Sequence, residues 1–168
     1  MIDDPIKNDN QNYDYTSCET HVRPEYPVIL EMVKPNSTVV DFGCGNGSLL
    51  SLLKAEKKIE GLGYDISPSG VEICKKKGLD AVCESIDRRH PGLKDNQFDY
   101  AICNVTIQMV MYPKILLEEM IRVSNRQIIS FPNFAYFRNR IDLFFLRPDA
   151  PSNAFRLSVV FDGTYPPV

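Results

Sequence analysis

The stretch Asp41-Phe42-Gly43-Cys44-Gly45-Asn46-Gly47 has the residue types to hold a small ligand. A carboxylate stands just ahead of three glycines at alternate positions. Glycine reaches φ > 0 without a Cβ clash and lets a ligand come close to the backbone. A dinucleotide fingerprint, Gly-x-Gly-x-x-Gly, would need its last glycine where the chain has Ser48. A P-loop is excluded because no Gly-Lys-Ser/Thr follows. A second acid, Asp65, closes the run Gly61-Leu62-Gly63-Tyr64 and lies 18 residues after Gly47. An acid at about that distance, at the tip of a second strand, can accept hydrogen bonds from both hydroxyls of a ribose. The two features together read as a nucleoside site. The competing readings are a glycine turn that binds nothing and a solvated acid at a strand end.

These residues need strands and helices to place them. Thr38 to Phe42 is a short apolar run that reads as a buried strand. Leu49, Leu50, Leu52 and Leu53 form one face of a helix ending near Glu56, and Gly61 to Ile66 is the second strand. Ser67-Pro68 has the pattern of an N-cap and first helical position. That helix runs to Lys77 with Val71 and Cys74 inward, and Gly78 stops it. Lys75 to Lys77 complement the helix dipole. A third strand covers Asp80 to Cys83, with Glu84-Ser85-Ile86-Asp87 at its carboxyl end. Arg88-Arg89-His90-Pro91 reads as an exposed turn with a solvated histidine. Phe98 to Cys103 is the fourth strand, and Asn104 to Val110 forms a loop at the same edge as Gly43 and Asp65. Asn104, Thr106 and Gln108 are its polar candidates for ligand contact, with bonding to the loop backbone as the alternative.

Pro113 opens a helix to Val123 with Leu116, Leu117, Met120 and Ile121 inward and a Glu118–Arg122 pair at i, i+4. Gln127 to Phe131 is the fifth strand, and Tyr26 to Val33 forms a helix ahead of the first. Strands and helices alternate five times. This predicts an α/β fold with a mostly parallel sheet and helices on both faces.

At 168 residues the chain reads as one domain over 21–168, preceded by a polar, flexible tail over 1–20. Tyr13 and Tyr15 in that tail have the alternative of folding over a ligand. A net charge of −3 and a pI near 5.4 disfavour nucleic acid and anionic membrane as partners. No apolar run is long enough to span a bilayer. The five cysteines lack metal spacing, and Cys44, Cys74, Cys83 and Cys103 read as small buried hydrophobes in a reducing cytoplasm. No metal site is expected.

The order Asp41, Gly43, Gly45, Gly47 resembles motif I of the S-adenosylmethionine-dependent methyltransferases of Rossmann-like fold. The resemblance narrows further on. Arg23-Pro24, Asp41-Phe42-Gly43-Cys44-Gly45, Thr106-Ile107-Gln108, Leu117 to Val123 and Ile128-Ile129-Ser130-Phe131-Pro132-Asn133-Phe134 are similar to the MetW family of methionine biosynthesis. It implies a class I methyltransferase fold and S-adenosylmethionine as cofactor, with S-adenosylhomocysteine as product. It also implies cofactor contacts from Asp41, Gly43, Cys44, Gly45, Asp65, Ile66, Ser85, Ile86, Asp87 and Asn104. Within that set the glycine turn takes the methionine moiety, Asp65 the ribose and Ser85 to Asp87 the adenine, with Asn104 near the methyl group.

The chain departs from the family pattern at Asn46, where an Asp is usual, at Ser85, where an acid is usual, and at Tyr136-Phe137, where His-Trp is usual. After Pro148 the likeness fades. The expectation is a sheet of five parallel strands, six counting Phe155 to Phe161, with the family's antiparallel hairpin incomplete. A helix from Phe134 to Leu146 would then present Phe137, Ile141, Phe144 and Phe145 for a homodimer to bury.

As an enzyme the chain would act by proximity and orientation, because a sulfonium methyl is already electrophilic. No catalytic residue is assigned, and the acceptor is a small molecule of unknown identity. The alternative is a non-catalytic cofactor-binding protein, or a partner of homoserine O-acyltransferase. An NAD-linked oxidoreductase stands further off, because of Ser48.

Overall fold

Strand segments that are apolar on both sides must be buried between two helical layers. The computed structural model describes residues 23–131. In it α1 spans Tyr26–Met32, β1 Thr38–Phe42, α2 Ser48–Lys57, β2 Glu60–Asp65, α3 Pro68–Lys76 and β3 Asp80–Cys83. After a loop come β4 Phe98–Asn104, a 3-10 turn Ile107–Met109, α4 Pro113–Val123 and β5 Ser124–Ser130. The strands lie in the order β3-β2-β1-β4-β5, and every adjacent pair is parallel. The chain runs outward from β1 to β3, then returns to the other side of β1 for β4 and β5. That reversal opens a crevice above the carboxyl ends of β1 and β4, where open parallel sheets take ligands. The expected tail, the helix from Phe134, the strand from Phe155 and the hairpin lie outside the described residues.

Alternation along β1 divides the core. Val39 packs in a layer with Ile29 of α1 and Leu50 and Leu53 of α2. Val40 and Phe42 pack in the opposite layer with Leu116, Met120 and Val123 of α4. Each such side chain contributes about 1.5–3 kcal/mol by leaving water. Local signals agree with this packing. The Ser67 hydroxyl accepts from the Gly70 N–H at 3.2 Å and caps α3, and Gly78 stops it at φ +69°.

Three expectations, on α4, on His90 and on β5, are corrected first. First, α4 buries Leu116, Glu119, Met120 and Val123, an i, i+3, i+4, i+7 face, while Ile121 is 63 % exposed. The arginine pairs with Glu119, not Glu118: Arg122 Nη2 lies 2.7 Å from Glu119 Oε1, and Glu118 faces Lys114 instead. Arg122 also donates to the Leu93 carbonyl and to Asp95, so this guanidinium pins the loop ahead of β4. Second, His90 is buried, not solvated. Its ring lies 4.4 Å from that of Tyr64, and its backbone N–H donates to Glu119 Oε1 at 2.8 Å. Burial lowers its pKa, against the pull of Glu119 and Glu84. Third, β5 begins at Ser124 and leaves Phe131 beyond its end. The Ser124 hydroxyl donates to the Met120 carbonyl at 2.7 Å and closes α4, so pairing with Phe98 starts at once.

Of the cysteines, Cys44, Cys74 and Cys103 are buried, but Cys83 is exposed. It ends β3, the edge strand, with its thiol 3.6 Å from the Ile66 carbonyl. Among the described residues no helix is long and apolar enough to cross a membrane.

Candidate functional site

The turn after β1 is tied to the tip of β2 by three backbone donors, and the start of α3 by a fourth. The Gly43 and Cys44 N–H groups donate to the Tyr64 carbonyl at 2.7 and 3.0 Å. The Gly45 N–H donates to Asp65 Oδ2 at 2.7 Å, and the Ser67 N–H donates to Asp65 Oδ1 at 2.8 Å. Asp65 thus holds the glycine turn and the start of α3 together. A carboxylate can accept about four hydrogen bonds, so this task is compatible with gripping a diol. Gly43 sits at φ +88°, and a Cβ there would lie 2.5 Å from Thr106 Cγ2. Its bareness therefore admits the loop after β4.

Above the turn lies a cavity of about 390 Å³. Asp41, Gly43, Cys44 and Gly45 line it from β1 and its turn, Asp65 and Ile66 from β2, Ser85, Ile86 and Asp87 from the loop after β3, and Asn104 from β4. The structure brings all ten expected residues into the lining of one cavity. Arg23, Tyr26 and Leu49 line it too, and the sequence reading gave none of the three a place in the site. The signal available for Arg23 was its position just ahead of the first helix, in a Pro-containing motif.

The charges are uneven. Asp41 is 2 % exposed, and its Oδ1 has no hydrogen-bond partner among the described residues. Burial and repulsion from Asp65 push its carboxyl up to about 7, while Arg23 opposes this. A buried carboxyl with one oxygen unpartnered, facing a cavity, would be held in its charged form by a cationic partner. Other polar groups are already engaged. Asp87 Oδ1 accepts from the Tyr112 N–H at 2.7 Å, and the Ser85 hydroxyl accepts from the Asp87 N–H at 3.2 Å. Asn104 donates to Glu25 Oε1 at 3.2 Å. Thr106 Oγ donates to the Asn104 carbonyl and Gln108 Nε2 to the Val105 carbonyl, the alternative weighed for these side chains. Among the described residues no group of three or more His, Cys, Asp or Glu could hold a metal ion.

A parallel sheet of this order, with a glycine turn after the first strand and an acid closing the second, defines the Rossmann-like class I methyltransferase fold. Solved structures bear this out. An S-adenosylmethionine-dependent methyltransferase from Thermotoga maritima, described as a possible histamine N-methyltransferase, matches with a TM-score of 0.59 at 24% identity, over 79% of this chain and 58% of that one. One from Aquifex aeolicus matches with a TM-score of 0.54 at 25% identity, over 66% of this chain and 68% of that one. The family model "Methionine biosynthesis protein MetW" matches residues 23–155. The chain belongs to the MetW family.

A relative from Rhodopirellula baltica, the bifunctional methionine biosynthesis protein MetXA/MetW, is 37% identical over 116 residues, which are 64% of this chain and 19% of that protein. A ribosomal protein L11 methyltransferase of Burkholderia cenocepacia is 26% identical over 100 residues, 60% of this chain and 33% of that protein. The chain thus spans about a fifth to a third of the length of these curated relatives.

Proposed function

We propose that the cavity binds S-adenosylmethionine and that the chain transfers its methyl group to a small-molecule acceptor. The observation that carries this reading is the buried Asp41 carboxyl, with its Oδ1 unpartnered among the described residues, beside Asp65 in one cavity above the glycine turn. The residues fit the cofactor. Asp41 suits its ammonium group, Arg23 its carboxylate, Asp65 the ribose hydroxyls, and Ser85, Ile86 and Asp87 the adenine, with the turn of Gly43, Cys44 and Gly45 along the methionine chain. Ile66 would flank the sugar, and Asn104 would stand at the methyl end. When bound, the cofactor supplies an electrophilic methyl carbon on sulfur. The work of the chain is then to orient the donor and keep water from it, which lowers the barrier by proximity. The cytoplasm fits the four free cysteines among the described residues.

The second reading is association with an acyltransferase of methionine synthesis, with or without turnover. It is favoured by the bifunctional relative, whose name joins MetXA to MetW in one protein.

Calorimetry with S-adenosylhomocysteine, with NAD as control, tests the binding step. Asp65→Ala should raise the dissociation constant at least about tenfold, because it removes one or two charge-assisted bonds to the ribose, roughly 1.5–3 kcal/mol each. An unchanged constant in the folded variant would overturn the assignment of Asp65. Wild-type protein that ignores S-adenosylhomocysteine would overturn the function.

A further inference from the structure

The loop after β4 carries a backbone outlier. Val105 stands at φ +52°, a region in which a β-branched residue is strained. Among the described residues the other non-glycine positions with positive φ are Asn36, Asn96 and the helix-capping Lys58, none of them β-branched. Strain of this kind persists only where the surroundings over-determine it, and here they do. The Val105 N–H donates both to the Ser130 carbonyl and to Ser130 Oγ, each at 3.0 Å. Ser130 is fully buried, and its hydroxyl donates in turn to Asn104 Oδ1. The other end of that amide donates to Glu25 Oε1, itself 6 % exposed. Three distant segments thus meet in one buried chain of hydrogen bonds. Two of them belong to the Arg23-Pro24 and Ser130-Phe131-Pro132 signatures, where the cofactor reading leaves Glu25 and Ser130 without a task.

The chain of bonds has something to hold. Asn104, Val105 and Thr106 line the cavity; Ser130 and Glu25 do not. Thr106, next to the strained residue, fills the space that a Cβ on Gly43 would take. The height of this loop over the glycine turn is therefore fixed from behind, by residues that touch no ligand.

We infer that Ser130 and Glu25 are positioning residues, which act through Asn104 to hold Val105 and Thr106 at the methionine end of the site. The inference rests on the cofactor reading above. It requires that breaking the chain of bonds harm recognition of the amino-acid part of the ligand and spare the nucleoside part.

The test compares S-adenosylhomocysteine with adenosine on the full chain, by calorimetry, in variants shown to be folded by circular dichroism. Ser130→Ala and Glu25→Ala should each weaken S-adenosylhomocysteine roughly three- to tenfold, the scale of one lost hydrogen bond, and leave adenosine unchanged. Glu25→Gln keeps an acceptor for Asn104 and should restore binding. Val105→Gly removes the strain, since glycine is at ease at this φ. Added to Ser130→Ala, it should recover melting temperature but not S-adenosylhomocysteine affinity, so a folded protein is available if the single variant is too unstable. Equal loss of both ligands, or loss of neither, would overturn the inference while the cofactor reading stands. Wild-type protein that binds neither would overturn both.

Discussion

Asp41→Asn probes the electrostatics of the cavity most directly. Asp41 is buried with one oxygen unpartnered, and burial with repulsion from Asp65 raises its carboxyl from 3.8 to about 7. In the unfolded chain it keeps the ordinary value. Between those two values the folded protein binds more protons than the unfolded one, so stability falls as pH rises through that window. The full penalty is present above about 7 and absent below the unfolded value. The window covers roughly three pH units at about 1.4 kcal/mol each, so the penalty is at most about 4 kcal/mol. Asparagine keeps the shape and drops the charge. The variant should therefore be more stable than wild type at about pH 8, by up to about 4 kcal/mol, and the advantage should vanish near pH 4. Urea denaturation of both proteins across that range measures it, and the difference between the curves cancels the other titrating groups. The same variant should bind S-adenosylhomocysteine more weakly, because a neutral amide holds an ammonium ion poorly. Equal stability at the alkaline end, or a difference that ignores pH, would refute the assignment of a frustrated carboxylate.

Two further outcomes follow from packing. Gly43→Ala places a methyl 2.5 Å from Thr106 at φ +88°; left-handed strain and overpacking together should cost about 2–4 kcal/mol, read from the urea midpoint. Glu119→Ala leaves Arg122 without its buried partner and His90 without the acceptor for its N–H. It should destabilise by about 3–5 kcal/mol, and a loss under 1 kcal/mol would show that Asp95 and water replace the carboxylate.

Much of the site was legible because its signals are local. Ser67-Pro68 caps α3 through its own neighbours, and Asp65 needs only the strand that ends at it. What escaped depends on tertiary neighbours. His90 sits in a charged, Pro-flanked stretch that reads as a surface turn, yet Tyr64, Phe42 and Glu119 enclose it. Glu119 is absent from the expected inward face of α4, and only the rotation of that helix against the sheet turns it inward. The polar start of β5, Ser124-Asn125-Arg126, lacks an apolar run, because backbone pairing to β4 fixes it. Arg23 lines the cavity from the segment ahead of α1, about which the spacing of residues 41 to 65 says nothing.

The crevice above β1 owes its existence to the path of the chain, which leaves the first strand in one direction and comes back on the other side. Winding of this sort keeps a slot open whichever side chains border it. Descendants of such a protein can exchange the lining, a strand tip at a time, and arrive at new small molecules without inventing a new receptacle.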